Sequence, residues 1–114
     1  MKTLRKGRRL EIKVAAQIRR KGLDPHARRM PRSGAIEHLK QDILTSLQYS
    51  FEVKNQETVR LWEFWEEARS RARMGKPPVL IVSGAFRPIL AVMDFDALLN
   101  LMKIERDYLA EVKQ

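Results

Sequence analysis

The chain has 114 residues, of which 44% are hydrophobic and 32% are charged, and its formal net charge is +9. This length favours one globular domain over residues 1–114, and the composition argues against a disordered chain. The absence of cysteine excludes disulfides, thiolate zinc sites and a cysteine nucleophile. No apolar run is long enough to span a membrane, so we expect a cytoplasmic protein with no membrane partner.

The positive charge is concentrated near the start of the chain. Residues 1–32 contain twelve lysines and arginines but two acidic residues, whereas residues 33–114 contain eleven basic and twelve acidic residues. A basic segment of this kind indicates a polyanionic partner, and nucleic acid is the commonest one. The alternative is a basic helix that only keeps the protein in solution.

The first predicted helix covers about Leu4–Lys21 and stops at Gly22, a residue typical of the position after a helix. Its apolar stripe recurs every four residues and consists of Leu10, Val14 and Ile18, with Ala15 beside it. Glu11 falls inside this stripe on the helical wheel. A carboxylate on an inward face needs a partner, a metal or a proton, so Glu11 is either a ligand or half of a structural ion pair.

The next segment is predicted to form short strands. Residues 24–29 form a strand or a turn, and residues 31–34 form a loop. Residues 42–47 and 48–56 are predicted to be two strands of a hairpin. In the second strand, the alternation of side chains places Glu52, Lys54 and Gln56 on one face and the apolar residues on the other.

A second helix is predicted from about Val59 to Met74, with Thr58 as its N-cap. Its inward stripe would contain Leu61, Trp65, Ala68 and Ala72. Residues 79–82 form an apolar run typical of a buried strand, which residues 89–92 would pair with. A third helix follows the N-cap Asp94, and residues 103–114 form a charged helical tail that is open to fraying. These elements predict an α/β fold with a small mixed sheet flanked by helices.

Three acids lie where a purely structural sequence would not place them, namely Glu11, Asp42 and Glu52. Carboxylates, together with the backbone carbonyl of Val53, would make an oxygen site suited to Mg²⁺ or Mn²⁺. Lys54 would place a positive charge beside a scissile phosphate or the attacking water. The alternative is that Asp42 is a turn residue and that Glu52 and Lys54 belong to a solvated strand face.

Asp42 followed by Glu52-Val53-Lys54 matches the PD-(D/E)XK nuclease pattern. With Glu11 in the first helix and the basic Arg32-Ser33-Gly34 loop before the aspartate, the chain resembles the archaeal-type Holliday junction resolvases and their phage relatives. The resemblance extends from about residue 5 to residue 100. It implies a restriction-endonuclease-like fold and a function in DNA recombination and repair.

In that family three acids bind divalent metals and a lysine assists attack on the phosphodiester by a metal-activated water. The resemblance assigns these roles to Glu11, Asp42, Glu52 and Lys54, with Mg²⁺ as the metal and Mn²⁺ as its substitute. It also implies a homodimer that binds branched DNA, works without a small-molecule cofactor and acts in the cytoplasm of a prokaryotic or phage-infected cell. The predicted DNA-binding residues are Lys6, Arg8, Arg9, Arg28, Arg29, Arg32, Ser33 and Gln56.

Two other functions remain open from the sequence. A nuclease of the same fold could nick DNA, or cut flaps or ordinary duplex, because dimer geometry and loop shape decide the substrate. A non-catalytic basic nucleic-acid-binding protein would explain the charge. It would have no use for the inward-facing Glu11.

Overall fold

The computed structural model describes residues 2–30 and 41–113, with side chains from residue 7 onward. Three helices and five strands follow one another along this part of the chain. They are α1 (Lys2–Arg20), β1 (Arg28–Arg29), β2 (Ile43–Leu44), β3 (Ser50–Asn55), α2 (Leu61–Arg71), β4 (Pro78–Ser83), β5 (Leu90–Met93) and α3 (Phe95–Val112). None of the helices described has the length and apolar character needed to cross a lipid bilayer.

The main sheet has the strand order β3-β4-β5, with β3 and β4 parallel and β4 and β5 antiparallel. Its register pairs Glu52 with Leu80 and Lys54 with Val82. A parallel pair needs a crossover connection, and α2 supplies it between β3 and β4. The predicted pairing of residues 79–82 with residues 89–92 is confirmed, and all of Val79–Val82 is buried.

The predicted hairpin between residues 42–47 and 48–56 is wrong. The strand β2 pairs instead with β1 in a separate two-stranded antiparallel sheet. Asp24 fixes the chain after β2, because its Oδ2 accepts hydrogen bonds from Thr45 Oγ1 and from the Ser46 amide, both at 2.9 Å. These hydrogen bonds hold the residues after β2 against the turn after α1, and β3 pairs with β4 instead.

Alternate residues of the sheet contact different helices. The α1 stripe of Leu10, Val14, Ala15 and Ile18 packs in one buried cluster with Val53, Val79 and Ile81. Phe64 and Ala68 of α2 pack in a second cluster with Leu80 and Val82. Because neighbouring strand residues point to opposite faces, the sheet lies between α1 and α2. The predicted mixed sheet flanked by helices is therefore confirmed, and it is consistent with a restriction-endonuclease-like fold.

The helix ends differ in part from the sequence predictions. The stop of α1 at Gly22 is confirmed, since Gly22 has φ +75° and the Leu23 amide donates to the Ile18 carbonyl. Thr58 is not the N-cap of α2, which begins at Leu61 without a side-chain cap and ends at Arg71. Asp94 caps α3 as predicted, because its Oδ1 accepts from the Asp96 and Ala97 amides.

Two further predictions concern the inward face of α2, and a third concerns the tail from residue 103. Leu61 is exposed rather than part of the inward stripe of α2, and Trp65 is half-buried at the edge of the second cluster. Phe64 takes the central position, because α2 places Phe64 and Ala68, four residues apart, over the sheet. The tail from residue 103 does not fray at its start, since α3 continues unbroken to Val112.

Candidate active site

Asp42 and Glu52 form a buried carboxylate pair beside β3, with exposed fractions of 5% and 2%. Asp42 is attached to β3 by two hydrogen bonds. Its amide donates to the Phe51 carbonyl at 2.9 Å, and its Oδ2 accepts from the Val53 amide at 2.7 Å. Because Phe51 and Val53 flank Glu52 in the strand, these bonds hold the Asp42 carboxylate next to that of Glu52.

The guanidinium of Arg71, in the last turn of α2, faces both carboxylates. Its Nη1 donates to Glu52 Oε1 at 2.8 Å, and its Nη2 lies 3.8 Å from Asp42 Oδ1. Arg71 was not among the predicted site residues. Its spacing from Phe64 and Ala68 was the available signal, since positions i, i+4 and i+7 of a helix share one face.

In the folded protein Glu52 keeps its proton at neutral pH. Burial is the largest cause, and the hydrogen bond and negative charge of Asp42 add to it, so that the pKa of Glu52 rises to about 9. Arg71 and Lys54 act in the opposite direction. Among the described residues, none donates a hydrogen bond to the buried Glu52 Oε2. A proton or another cation is therefore required between the two carboxylates.

Lys54 extends from the same face of β3 as Glu52, as the strand alternation predicted. Its ammonium forms an ion pair with Glu67 of α2 and lies 5.2 Å from the centre of the Phe64 ring. The lysine side chain is 20% exposed and that of Glu67 is 49% exposed. The helix α2 thus holds Lys54 beside the carboxylate pair, and Glu67 is a second contact that the sequence analysis missed.

Glu11 is 2% exposed on the inward face of α1, as its place in the apolar stripe predicted. Its Oε2 lies 3.6 Å from Nε of Arg29 in β1. Across residues 2–30 and 41–113, no three histidine, aspartate or glutamate side chains come close enough to hold one metal ion. The structure therefore brings Asp42, Glu52 and Lys54 together, and it does not add Glu11 to their group.

Similarity to a known protein family indicates what this arrangement does. A family model described as "Phage putative PDDEXK endonuclease" matches residues 2–112. The chain belongs to this family. The match includes Asp42 and the Glu52-Val53-Lys54 tripeptide of the predicted pattern. Searches of curated proteins and of solved structures each returned no match.

The carboxylate pair of this PD-(D/E)XK endonuclease fits a divalent metal. PD-(D/E)XK nucleases generally use divalent metals. The donors here are carboxylate oxygens, which Mg²⁺ and Mn²⁺ prefer, and the buried Glu52 Oε2 receives no hydrogen bond from residues 2–30 and 41–113. Asp42 and Glu52 would hold the ion. The backbone carbonyl of Val53 and the carboxylate of Glu11 stay predicted ligands.

The predicted DNA-binding residues of the endonuclease have different environments. Arg8, Arg9 and Arg28 are exposed, whereas Arg29 is half-buried and faces Glu11. Gln56 is half-buried just after β3, where its amide donates to the Ser83 carbonyl. The side chain of Lys6, and Arg32 and Ser33 as a whole, lie outside the described residues.

A basic cleft lies between α1 and the turn that joins β4 to β5. Among the described residues that line it, Arg9, Lys13 and Arg87 are cationic and none is acidic. Lys13 and Arg87 were not among the predicted DNA-binding residues. Lys13 lies on a helix and Arg87 in a loop, and neither belongs to a sequence motif. The summed charge of the first 32 residues was therefore the only available signal for Lys13.

The raised pKa of Glu52 predicts how the metal-free endonuclease responds to pH. The folded protein keeps the Glu52 proton up to about pH 9, whereas the unfolded chain releases it near the ordinary value of 4.5. The contribution of this group to the free energy of unfolding is therefore complete below that ordinary value and is lost as the pH rises to about 9. The urea midpoint in EDTA should fall between about pH 6 and about pH 8.5.

Glu52→Gln is the control for this pH dependence. Glutamine has the shape of the protonated acid and does not titrate, so the fall in midpoint should be smaller in the variant. Equal pH dependence in the two proteins would show that Glu52 is ionised in the folded state at neutral pH.

Proposed function

We propose that this endonuclease is a Mg²⁺-dependent Holliday junction resolvase that cuts four-way DNA junctions. The observation that supports the catalytic part is the buried Asp42–Glu52 pair with Lys54 on the same face of β3. The junction substrate is supported by the resemblance to resolvases in residues 5–100. Because the substrate is DNA, the enzyme would act in the cytoplasm of a prokaryotic cell or a phage-infected host.

In this proposal each side chain of the site has a separate role. Asp42 and Glu52 would hold the divalent cation, which when bound would supply Lewis-acid charge beside the scissile phosphate and activate the attacking water. Val53 would contribute its backbone carbonyl, and Glu11 would be a further ligand. Lys54, fixed by Glu67 and Phe64, stabilises the negative charge that develops on the phosphate.

The phosphate backbone is bound by the exposed arginines of α1 and β1 and by the basic cleft. Arg8, Arg9 and Arg28 are exposed, and Arg9 lines the cleft together with Lys13 and Arg87. Such contacts are independent of sequence and sensitive to salt. Lys6, Arg32, Ser33 and Gln56 complete the proposed DNA interface. Arg29 belongs to it once it is no longer held by Glu11.

The test is cleavage of a labelled four-way junction beside a linear duplex and a flap of the same arms, with EDTA, Mg²⁺ or Mn²⁺. Paired symmetric nicks near the crossover, dependent on metal and absent from the duplex, are expected. Equal cutting of the flap or duplex would replace the resolvase with a nuclease of broader substrate. Binding without cleavage in both metals would favour a non-catalytic DNA-binding protein.

The proposal includes a homodimer, and the exposed apolar face of α3 supports it. The helix has no buried residue, and none of the described helices and strands packs extensively against it. One face carries large side chains at spacings of three and four residues, namely Leu101, Ile104, Tyr108 and Val112, which are 38–65% exposed. A helix with such a face is stable in water when another surface covers it, and a second copy provides an identical apolar face.

Ile104→Lys tests this interface, with Ala110→Lys as its matched control, because Ala110 is exposed on the opposite face of α3 beside Lys103 and Arg106. A symmetric interface contains each substituted residue twice, so we expect Ile104→Lys to raise the dimer dissociation constant by about 100-fold or more. Ala110→Lys should leave it within a few-fold. Sedimentation equilibrium measures both constants. Dissociation that is the same in the two variants would remove α3 from the dimer interface.

A further inference from the structure

The contact between Arg71 and the two carboxylates has a consequence for metal binding. Arg71 Nη1 donates to Glu52 Oε1 at 2.8 Å, and Nη2 lies 3.8 Å from Asp42 Oδ1. The carboxylate oxygens that face the guanidinium belong to the pair that would hold a divalent cation. A guanidinium and a metal ion beside the same buried carboxylates compete for their negative charge, because two neighbouring cations repel each other.

We propose that Arg71 is an internal counter-ion of the Asp42–Glu52 pair and that its positive charge competes with a divalent metal for this pair. This inference rests on the proposed function only in taking that pair as the metal site. It assigns Arg71 a regulatory role, since the affinity for Mg²⁺ is set by competition with a side chain of the same protein.

The position of Arg71 suits a counter-ion that can leave. Its side chain is 36% exposed, while those of Asp42 and Glu52 are 5% and 3% exposed. It lies in the last turn of α2, and the next residue, Ala72, has extended backbone. The guanidinium can therefore turn from the carboxylates into solvent without opening either apolar cluster. The two acids have no such freedom, because β3 and the Val53 amide hold them in place.

Burial explains why a counter-ion is present at all. An acid pair that is almost wholly buried is costly to fold without a neighbouring positive charge. Arg71 lowers this cost before the metal arrives. A bound metal then gains less than it would from a pair with no counter-ion, because the guanidinium already neutralises part of the negative charge of the pair. Removal of the guanidinium charge should accordingly strengthen metal binding.

Arg69 provides a matched control two residues away on the same helix. Its guanidinium pairs with Glu66 on the surface at 2.9 Å, and both side chains are 62% exposed. Arg69→Gln therefore removes the same charge from α2 without touching the carboxylate pair. Arg71→Gln keeps a side chain of similar polarity with an N–H donor for Glu52 and removes only the charge. Arg71→Lys retains a positive charge at this position.

The experiment is calorimetric titration of the full chain with Mg²⁺ and with Mn²⁺, without DNA. We expect Arg71→Gln to bind each metal about tenfold more tightly than the parent, because the variant removes one competing positive charge from the site. Arg71→Lys should return the affinity to within a few-fold of the parent, and Arg69→Gln should leave it unchanged. A metal affinity of Arg71→Gln equal to or below that of the parent would overturn the proposal.

Thermal unfolding gives a second readout that needs no cleavage. In EDTA the midpoint of Arg71→Gln should lie below that of the parent, and saturating Mg²⁺ should raise it by more than it raises the parent midpoint. If Arg71→Gln binds metal more tightly but the parent protein cuts no DNA, this inference is upheld and the proposed function is contradicted. If neither protein binds Mg²⁺ or Mn²⁺, the metal site and the role of Arg71 are both wrong.

Discussion

We expect an Asp42→Asn variant to cleave the junction at least about 1000-fold more slowly than the parent, while it binds the junction equally well or more tightly. Asp42 provides one of the two buried carboxylates of the pair. Asparagine can still accept the hydrogen bond from the Val53 amide, so the contact that fixes the segment to β3 is retained. It contributes no negative charge, which weakens cation binding, and it removes repulsion of the DNA phosphates.

Asp94→Asn is the matched control for this experiment. Asp94 is exposed and caps α3 through the Asp96 and Ala97 amides, and asparagine is an equally good N-cap. The control therefore removes one negative charge without disturbing the site. Cleavage of a labelled junction in Mg²⁺ gives the rate, and a gel shift in EDTA gives the affinity. Full activity in Asp42→Asn would refute the assignment of Asp42 as a metal ligand.

A Lys54→Met variant should lose about 100-fold to 1000-fold of the cleavage rate while keeping its fold and its affinity for metal. The ammonium of Lys54 is the cation that β3 places beside Glu52, and no apolar side chain can stabilise charge on a phosphate. Methionine retains an unbranched apolar chain against the Phe64 ring. The Glu67 carboxylate that loses its partner is about half-exposed, so water can solvate it.

Glu67→Gln separates the charge of Lys54 from its ion pair. This variant keeps the lysine and removes only the carboxylate that holds it. We expect a loss of no more than about tenfold, because a partly exposed ion pair positions a side chain weakly. Single-turnover rates on the junction compare the three proteins. If Glu67→Gln and Lys54→Met reduce the cleavage rate by the same factor, the ion pair accounts for the whole effect and Lys54 has no separate role at the phosphate.

Much of the site could be predicted from local patterns. The place of Glu11 in the apolar stripe of α1 predicted its burial, and the alternation along β3 predicted that Glu52 and Lys54 share a face. The order of Asp42 and Glu52-Val53-Lys54 predicted the nuclease superfamily to which the family model belongs. The first two predictions depend on residues that are close in sequence, where the geometry of a helix or strand fixes their relative positions, and the third depends on resemblance to the family motif.

The contacts between elements could not be predicted in this way. Arg71 and Glu67 reach Asp42, Glu52 and Lys54 because α2 crosses over the sheet between two parallel strands. Arg29 faces Glu11 because β1 lies beside α1. Nothing within either element specifies these partners, since they are separated in sequence and meet only through the path of the chain.

The sequence by itself determined the helix periods, the buried strand β4, the cap of α3 and the residues that carry the proposed chemistry. Only the tertiary structure decided that β3 pairs with β4 rather than with β2, that an arginine faces the carboxylate pair, and that α3 leaves its apolar face exposed. The physical reason is that periodicity states which face of an element is apolar. Strand pairing and packing over long sequence separations decide what that face meets.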